Sequence, residues 1–396
     1  MSELKPLTVL LGSGFAEGCD LPGTAALTNT VKALRFPMIN PARPNDLEVT
    51  VPAGVWRMAT SYYANPNFET VLHLVETVMG YERVRGWLAA DDRSKAAFGA
   101  FTNIMPHWRY FIEEGARYSF ADFYGHAMTA IAQELTKATD SNLTHIKTVA
   151  CPFINAMIER FQVTVATLNY DDILERCFEP WHDGFNAGGE GNAFDPRVFL
   201  ADHTEPTLMH LHGSVRFYAL PEQGGPPTIF KAESADLKLP QTRNVVWVQY
   251  SQSGETLLNG PMITGLRKTD KTITPPFGFY QYELQRACYE SPRLLVIGFG
   301  AYDTYISSLL VQMRRIHGDD LRAVFVTKCD DTGLGNWAVG LAAAVLGAPE
   351  NENLFTALYA SRLKPQPVRM KHGLLYSRGF PLPEGALDEA LAFLAE

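Results

Sequence analysis

The feature that most constrains this chain is a short, largely apolar run that ends in a glycine or polar turn and passes into a helix. It stands in "TVLLGSGFAEGCDLPGT" from Thr8, in "FQVTVATLNYDD" from Phe161 and in "RLLVIGFGAYDTYISSLLVQMRRI" from Arg293. Where apolar residues follow one another without alternation, as at Val9–Leu11 and Leu294–Ile297, the run has to be buried on both faces, which is the state of a parallel strand covered by helices. "LRAVFVT" from Leu321 reads as another buried strand, and "TLMHLHGSVRFY" from Thr207 alternates like a strand pair. The predicted fold is α/β: a Rossmann-like, mainly parallel sheet with helices on both faces. Such sheets bind ligands beyond the C-terminal ends of their strands. The places to read are therefore the turns Gly12–Gly18, Asn169–Asp172 and Gly298–Asp303, with His212 at the end of a further strand.

Between the first two strands the pattern changes. "NPNFETVLHLVETVMG" carries apolar residues at Phe68, Val71, Leu72, Val75 and Val78, one face of a helix. "HWRYFIEEGARYSFADFYGHAMTAIAQELTKA" continues it, with Gly115 and Ser119 as breaks. This predicts a helical module inserted at 60–155, a sheet domain formed by 1–35 and 156–330, and a C-terminal extension at 331–396. Residues 36–50, 220–228 and 251–260 read as loops from their Pro, Gly, Gln and Ser content.

The net charge of −9 comes from dispersed acids, without the clustered Lys and Arg that phosphate backbones require, so direct nucleic-acid binding is not expected. No apolar run reaches the length of a membrane span, and the first residues lack a signal-peptide pattern. The five cysteines are scattered and form no C-x-x-C pair, which fits a reducing cytoplasm and leaves no cysteine-built zinc site.

The first loop narrows the chemistry by elimination. Gly12, Gly14 and Gly18 are spaced one residue too long for G-x-G-x-x-G, and no acid stands between Leu21 and Asn45 to hold a ribose, so a dehydrogenase is disfavoured. The P-loop pattern is absent, and Ser13 lies directly between two glycines, which is wrong for a nucleophile elbow. Two readings remain: a loop whose backbone approaches a diphosphate, or a tight turn with no ligand. Asn169 and Asp171 after a buried strand can likewise be polar site residues or an Asx turn and helix cap. His210 and His212 share a strand face but have no third metal ligand tied to them.

Taken in order, these motifs resemble the sirtuin fold family, and in particular its prokaryotic, NAD-hydrolysing branch. The resembling residues are Gly12-Ser13-Gly14-Phe15-Ala16 with Leu21-Pro22-Gly23, then Thr167-Leu168-Asn169-Tyr170-Asp171, His212-Gly213, and Gly298-Phe299-Gly300 in "GFGAYDTYI". "NFETVLHLVE" resembles the F-E-x-x-L helix of that branch. The chain departs from the family where a glutamine is usual at Leu168, where a serine or threonine is usual at Ala16, and at Thr327-Lys328-Cys329-Asp330, which lacks the usual asparagine. It also lacks the two C-x-x-C pairs of the deacylases' zinc module.

The resemblance implies an NAD glycohydrolase that uses NAD as substrate without zinc, with an NAD-dependent deacylase or a non-catalytic NAD or ADP-ribose binder as alternatives. It implies Asn169 and His212 as catalytic residues, His212 taking a proton and Asn169 holding the ribose hydroxyls and a water. Gly12, Ser13, Gly14, Phe15, Pro22, Thr167, Asp171, Gly298, Phe299 and Gly300 are the implied cofactor contacts, with Asp171 on the carboxamide and Phe15 as a shield from water. It further implies a cytoplasmic effector of antiphage defence that acts as a homo-oligomer or beside a partner such as a HerA-type ATPase.

Overall fold

The structure is a computed structural model that describes residues 4–34, 55–56, 59–61, 63–77, 119–185, 192–220, 227–235, 247–250, 256–265, 268–272, 274–328, 337–347 and 366–396. The proline-rich stretch expected as a loop at 36–50 lies outside them. In chain order the strands are β1 (Lys5–Leu11), β2 (Phe161–Thr167), β3 (Thr207–His210), β4 (Phe217–Leu220), β5 (Thr228–Lys231), β6 (Trp247–Tyr250), β7 (Thr256–Asn259), β8 (Arg293–Ile297), β9 (Arg322–Val326), β10 (Val368–Met370) and β11 (Gly373–Tyr376). Seven of them form one sheet in the order β10-β11-β9-β8-β1-β2-β3, and every pairing is parallel except β10 with β11. The Rossmann-like, mainly parallel sheet is therefore present.

The order contains a reversal. From β1 the chain moves outward through β2 and β3, then returns to β8 on the other side of β1. Thr8 pairs with Leu294 and Leu11 with Ile297, so the two strands end level. The turns after them face each other at the topological switch point, where doubly wound sheets form a ligand crevice.

Helices cover both faces, as the unbroken apolar runs require. On one face Leu7, Val9, Leu11, Val163 and Val165 pack beneath Ile146, Ala150, Phe153, Ile154 and Met157 of a helix at Leu143–Arg160. On the other, Leu10, Ala166, Leu294 and Val296 meet Tyr280 and Leu284 of a helix at Phe277–Glu290, and Leu309, Leu310 and Met313 of one at Thr304–His317. With the remaining helices used below, the labels in chain order are α1 (Ser13–Gly18), α2 (Thr24–Ala33), α3 (Ser119–Ser141), α4 (Leu143–Arg160), α5 (Ile173–Cys177), α6 (Lys268–Lys271), α7 (Phe277–Glu290), α8 (Thr304–His317), α9 (Trp337–Leu346) and α10 (Ala386–Ala395).

A third core joins Leu27 and Val31 of α2 to Val71, Leu72 and Val75 of the helical residues 68–77 and to Phe123, Tyr124 and Ile131 of α3. Tyr170 and Val215, beyond the ends of β2 and β3, belong to this core, so the helical residues stand over the strand ends. The helix α4 starts within the expected module at 60–155 yet buries its apolar face on the sheet. The region after 331, expected as an extension, supplies β10 and β11 to the sheet and α10 to its α4 face.

Three expectations need correction. "TLMHLHGSVRFY" is not a strand pair: β3 joins the main sheet while β4 pairs with β5 in a separate hairpin. The stretch 251–260 is not all loop, since Thr256–Asn259 is β7, paired with β6. The scattered cysteines hide a pair in space: Cys151 of α4 and Cys177 of α5 are joined by a disulfide, while Cys19 and Cys288 are free and buried. The cysteine argument for a reducing compartment therefore falls away. Among the described residues, no helix is long and apolar enough to cross a membrane.

Candidate functional site

The turn after β1 is built against the turn after β8. The N–H of Gly12 donates to the Ile297 carbonyl at 2.9 Å and that of Gly14 to the Gly298 carbonyl at 3.1 Å. A Cβ on Gly12 would lie 2.6 Å from the Gly298 oxygen, and one on Gly298 would lie 2.4 Å from the Phe15 nitrogen. Gly298 also has φ of +65°, a conformation that L side chains rarely take. These glycines let two turns interlock at the switch point.

This changes the expected phosphate cradle. The helix α1 starts at Ser13, and Phe15 donates its N–H to the Gly12 carbonyl at 2.9 Å. Of the four N–H groups expected to face a diphosphate, those of Gly12, Gly14 and Phe15 are committed within the fold. Ser13 takes no part in these bonds and is exposed. Phe15 is not placed as a shield: it is buried between Phe153 and Phe380, with ring centroids 6.2 and 4.7 Å away. Phe299 is likewise part of the core beneath α8. Pro22 is half-buried one residue before Gly23, the N-cap of α2, and Gly300 leads into Ala301, which has φ of +61°.

The turn after β2 is tied to the same place. Asn169 is buried, and its Nδ2 donates to the Gly12 carbonyl at 3.0 Å. Its own N–H donates to Thr167 Oγ1 at 3.1 Å, which fixes the turn. Asp171 makes the Asx turn allowed from sequence, its Oδ1 accepting from the Ile173 N–H at 3.2 Å. Burial pushes its carboxyl up from 3.8 to about 7, aided by Asp172 and Glu175, so near neutrality it can be either donor or acceptor.

That shift has a sign. A carboxyl whose folded value is raised takes up protons on folding, so its contribution falls as pH rises from about 4 to about 7. Asp171→Asn keeps the Asx acceptor and removes the charge. Its stability relative to the parent should grow across that window, by at most about 4 kcal/mol, and level off above it. Melting curves that stay parallel from pH 4 to 8 would contradict this reading.

His212 lies two residues beyond β3. Its carbonyl accepts from the Ile263 N–H at 2.7 Å, and the next residue, Gly213, has φ of +88°. A Cβ there would stand 2.0 Å from the Pro261 oxygen, so only glycine lets these two segments touch. The turn parts the two histidines. His210 points to buried Glu175, Nε2 to Oε1 at 3.1 Å, whereas His212 Nε2 faces Asp303 Oδ2 at 3.5 Å. Lys268 of α6 stands 3.5 Å from His212 Nδ1, and its ammonium is paired with Glu69 at 2.6 Å. Burial and the Lys268 cation lower the pKa of His212 against the pull of Asp303 and Glu69.

The contacts form one chain: Asn169 to Gly12, Gly12 to Ile297 at the end of β8, the turn after β8 to Asp303, and Asp303 to His212. Asp303 also caps α8 by accepting from the Ile306 N–H at 3.1 Å. The site thus holds an amide, an acid of raised pKa, a neutral imidazole and a carboxylate at the strand ends. Reading by motif missed Asp303, Lys268 and Glu69 as site residues. Asp303 and Glu69 stood inside quoted motifs, while Lys268 carried no sequence signal. Among the described residues, no group of three or more His, Cys, Asp or Glu could hold a metal ion.

No protein-family model matches the chain, and no curated protein matches it. Solved structures similar to it include a Sir2 homologue in complex with NAD, at 13% identity and a TM-score of 0.38, covering 99% of this chain and 90% of that one. A Sir2 homologue carrying a serine-to-alanine substitution, in complex with ADP-ribose, is similar at 15% identity and a TM-score of 0.33, covering 99% and 92%. Neither likeness is close enough to carry a functional argument, which has to rest on the site itself.

Proposed function

We propose that the chain binds NAD beyond the C-terminal ends of β1, β2, β3 and β8 and hydrolyses the bond between nicotinamide and ribose. The observation that supports this is the linked set Asn169, His212 and Asp303 at the switch point between β1 and β8, with Asp171 two residues beyond Asn169. Nicotinamide leaves with the bonding electron pair from C1′ of the ribose, and a water oxygen forms the new bond to C1′. His212 takes the proton from that water, a task suited to an imidazole kept neutral. Asn169 orients the ribose hydroxyls and the water, and Asp171 meets the carboxamide. The products are nicotinamide, ADP-ribose and one proton. With three loop N–H groups committed, Ser13 is the part of that loop left to meet the diphosphate, beside the turn at Gly298–Gly300.

The test is to incubate purified protein with NAD, with and without an acylated peptide. Nicotinamide released without peptide supports hydrolysis, and release only with peptide supports a deacylase. Binding of NAD or ADP-ribose without release supports an assembly subunit.

As an NAD-depleting protein, the chain fits antiphage defence in the cytoplasm, acting as a homo-oligomer or with a HerA-type ATPase. The activity needs no zinc. Elemental analysis after dialysis against a chelator is expected to find none, and stoichiometric zinc would overturn this.

A further inference from the structure

We propose that Lys268 is the positioning residue for His212: it fixes the ring proton on Nε2 and keeps the Nδ1 lone pair for proton transfer, while Glu69 holds Lys268 in place. This rests on the reading of His212 as the proton acceptor.

The geometry is specific. An ammonium has donors and no lone pair, so a Lys268 Nζ directed at Nδ1 from 3.5 Å requires that nitrogen to be the unprotonated one. The single proton of the neutral ring then lies on Nε2, where the Asp303 carboxylate at 3.5 Å accepts it. Nδ1 has one lone pair, which Lys268 holds only at the outer limit of a hydrogen bond, so the ammonium gives way to the water whose proton Nδ1 takes and stays paired with Glu69. The charged groups facing His212 are Lys268 from α6, Asp303 at the head of α8 and Glu69 from the helical residues 68–77. Lys268 is the cation among them, and it opposes protonation of the ring in a buried place. Lys268 itself is held by Glu69 at 2.6 Å, and the helical stretch that carries Glu69 is anchored where the Phe68 N–H donates to Thr28 Oγ1 of α2 at 3.2 Å. A lysine held only for solubility has no reason to sit between a buried imidazole and an acid 199 residues away.

Lys268→Met and Lys268→Arg, checked for fold by circular dichroism, test this by two readouts. The first is a titration of His212 by nitrogen NMR on histidine-labelled protein, which needs no activity. In Lys268→Met the His212 titration should move to higher pH and the ring should lose its single tautomer, and Lys268→Arg should restore both in large part. The second is the pH dependence of NAD hydrolysis. In Lys268→Met the rate at about pH 6 should fall roughly tenfold, and the rate above about pH 8 by less than about threefold. An unchanged His212 titration and tautomer in folded Lys268→Met overturns the proposal. Should the titration move while the parent protein releases no nicotinamide, the hydrolase reading fails and the coupling of Lys268 to His212 stands.

Discussion

Alanine at His212 or at Asn169 is expected to lower nicotinamide release by about 10²-fold or more each, because one removes the proton acceptor and the other the group that positions water and ribose. The structure separates the two variants. His212 reaches its neighbours through Asp303 and Lys268, and both remain paired with others when the ring is removed, through the Ile306 N–H and Glu69. Asn169 instead donates to the Gly12 carbonyl, so Asn169→Ala also unties the turns after β1 and β2. Loss of that one buried bond costs about 1 kcal/mol, too little to unfold the chain. His212→Ala should therefore lose rate with little change in melting temperature, and Asn169→Ala should lose rate with a small drop. Turnover near the parent level in either folded variant would remove that residue from the chemistry.

The second large effect is structural. Lys231 of β5 is almost buried and pairs with Glu175 Oε1 at 3.2 Å and with Asp183. Glu175 also accepts from His210. Burial pushes the Glu175 carboxyl up, but Lys231 and His210 outweigh it and hold it well below the usual range. Lys231→Met leaves two buried carboxylates without their cation. Breaking a buried pair from one side costs about 3–5 kcal/mol, most of it the uncompensated charge. A carboxylate of depressed pKa contributes stability above its unfolded pKa, which is lost as pH falls through the folded one. The deficit of Lys231→Met should therefore be full at neutral pH and smaller at about pH 3, below the ordinary carboxylate value, where the pairing of Glu175 is being lost in the parent as well. Glu175→Gln added to Lys231→Met should recover part of the loss. Urea unfolding of the single and double variants at both pH values is the measurement, and a neutral-pH deficit under about 1 kcal/mol would show that the cluster carries little of the fold.

The cluster explains why His210 and His212, two residues apart, have different fates. On a continued strand they would share a face. The strand β3 stops at His210, and the turn through Leu211 sends one ring to Glu175 and the other to Asp303.

The sequence by itself determined the parallel sheet, because runs such as Val9–Leu11 and Leu294–Ile297 are apolar without alternation and can be satisfied only between two helical layers. It also marked the turns where polar groups had to gather, since Asn169, Asp171 and His212 each follow a buried strand. It did not reveal β10 and β11, of three and four residues, because segments so short have no periodicity and become strands only against β9. Nor did it tell what the glycines do. Gly12 and Gly298 look alike as phosphate loops or as tight turns, and only their mutual approach shows that their first task is to interlock. The link from Glu69 through Lys268 to His212 was set by the tertiary structure alone. A hydrogen bond acts over about 3 Å of space, whatever the length of chain between its partners.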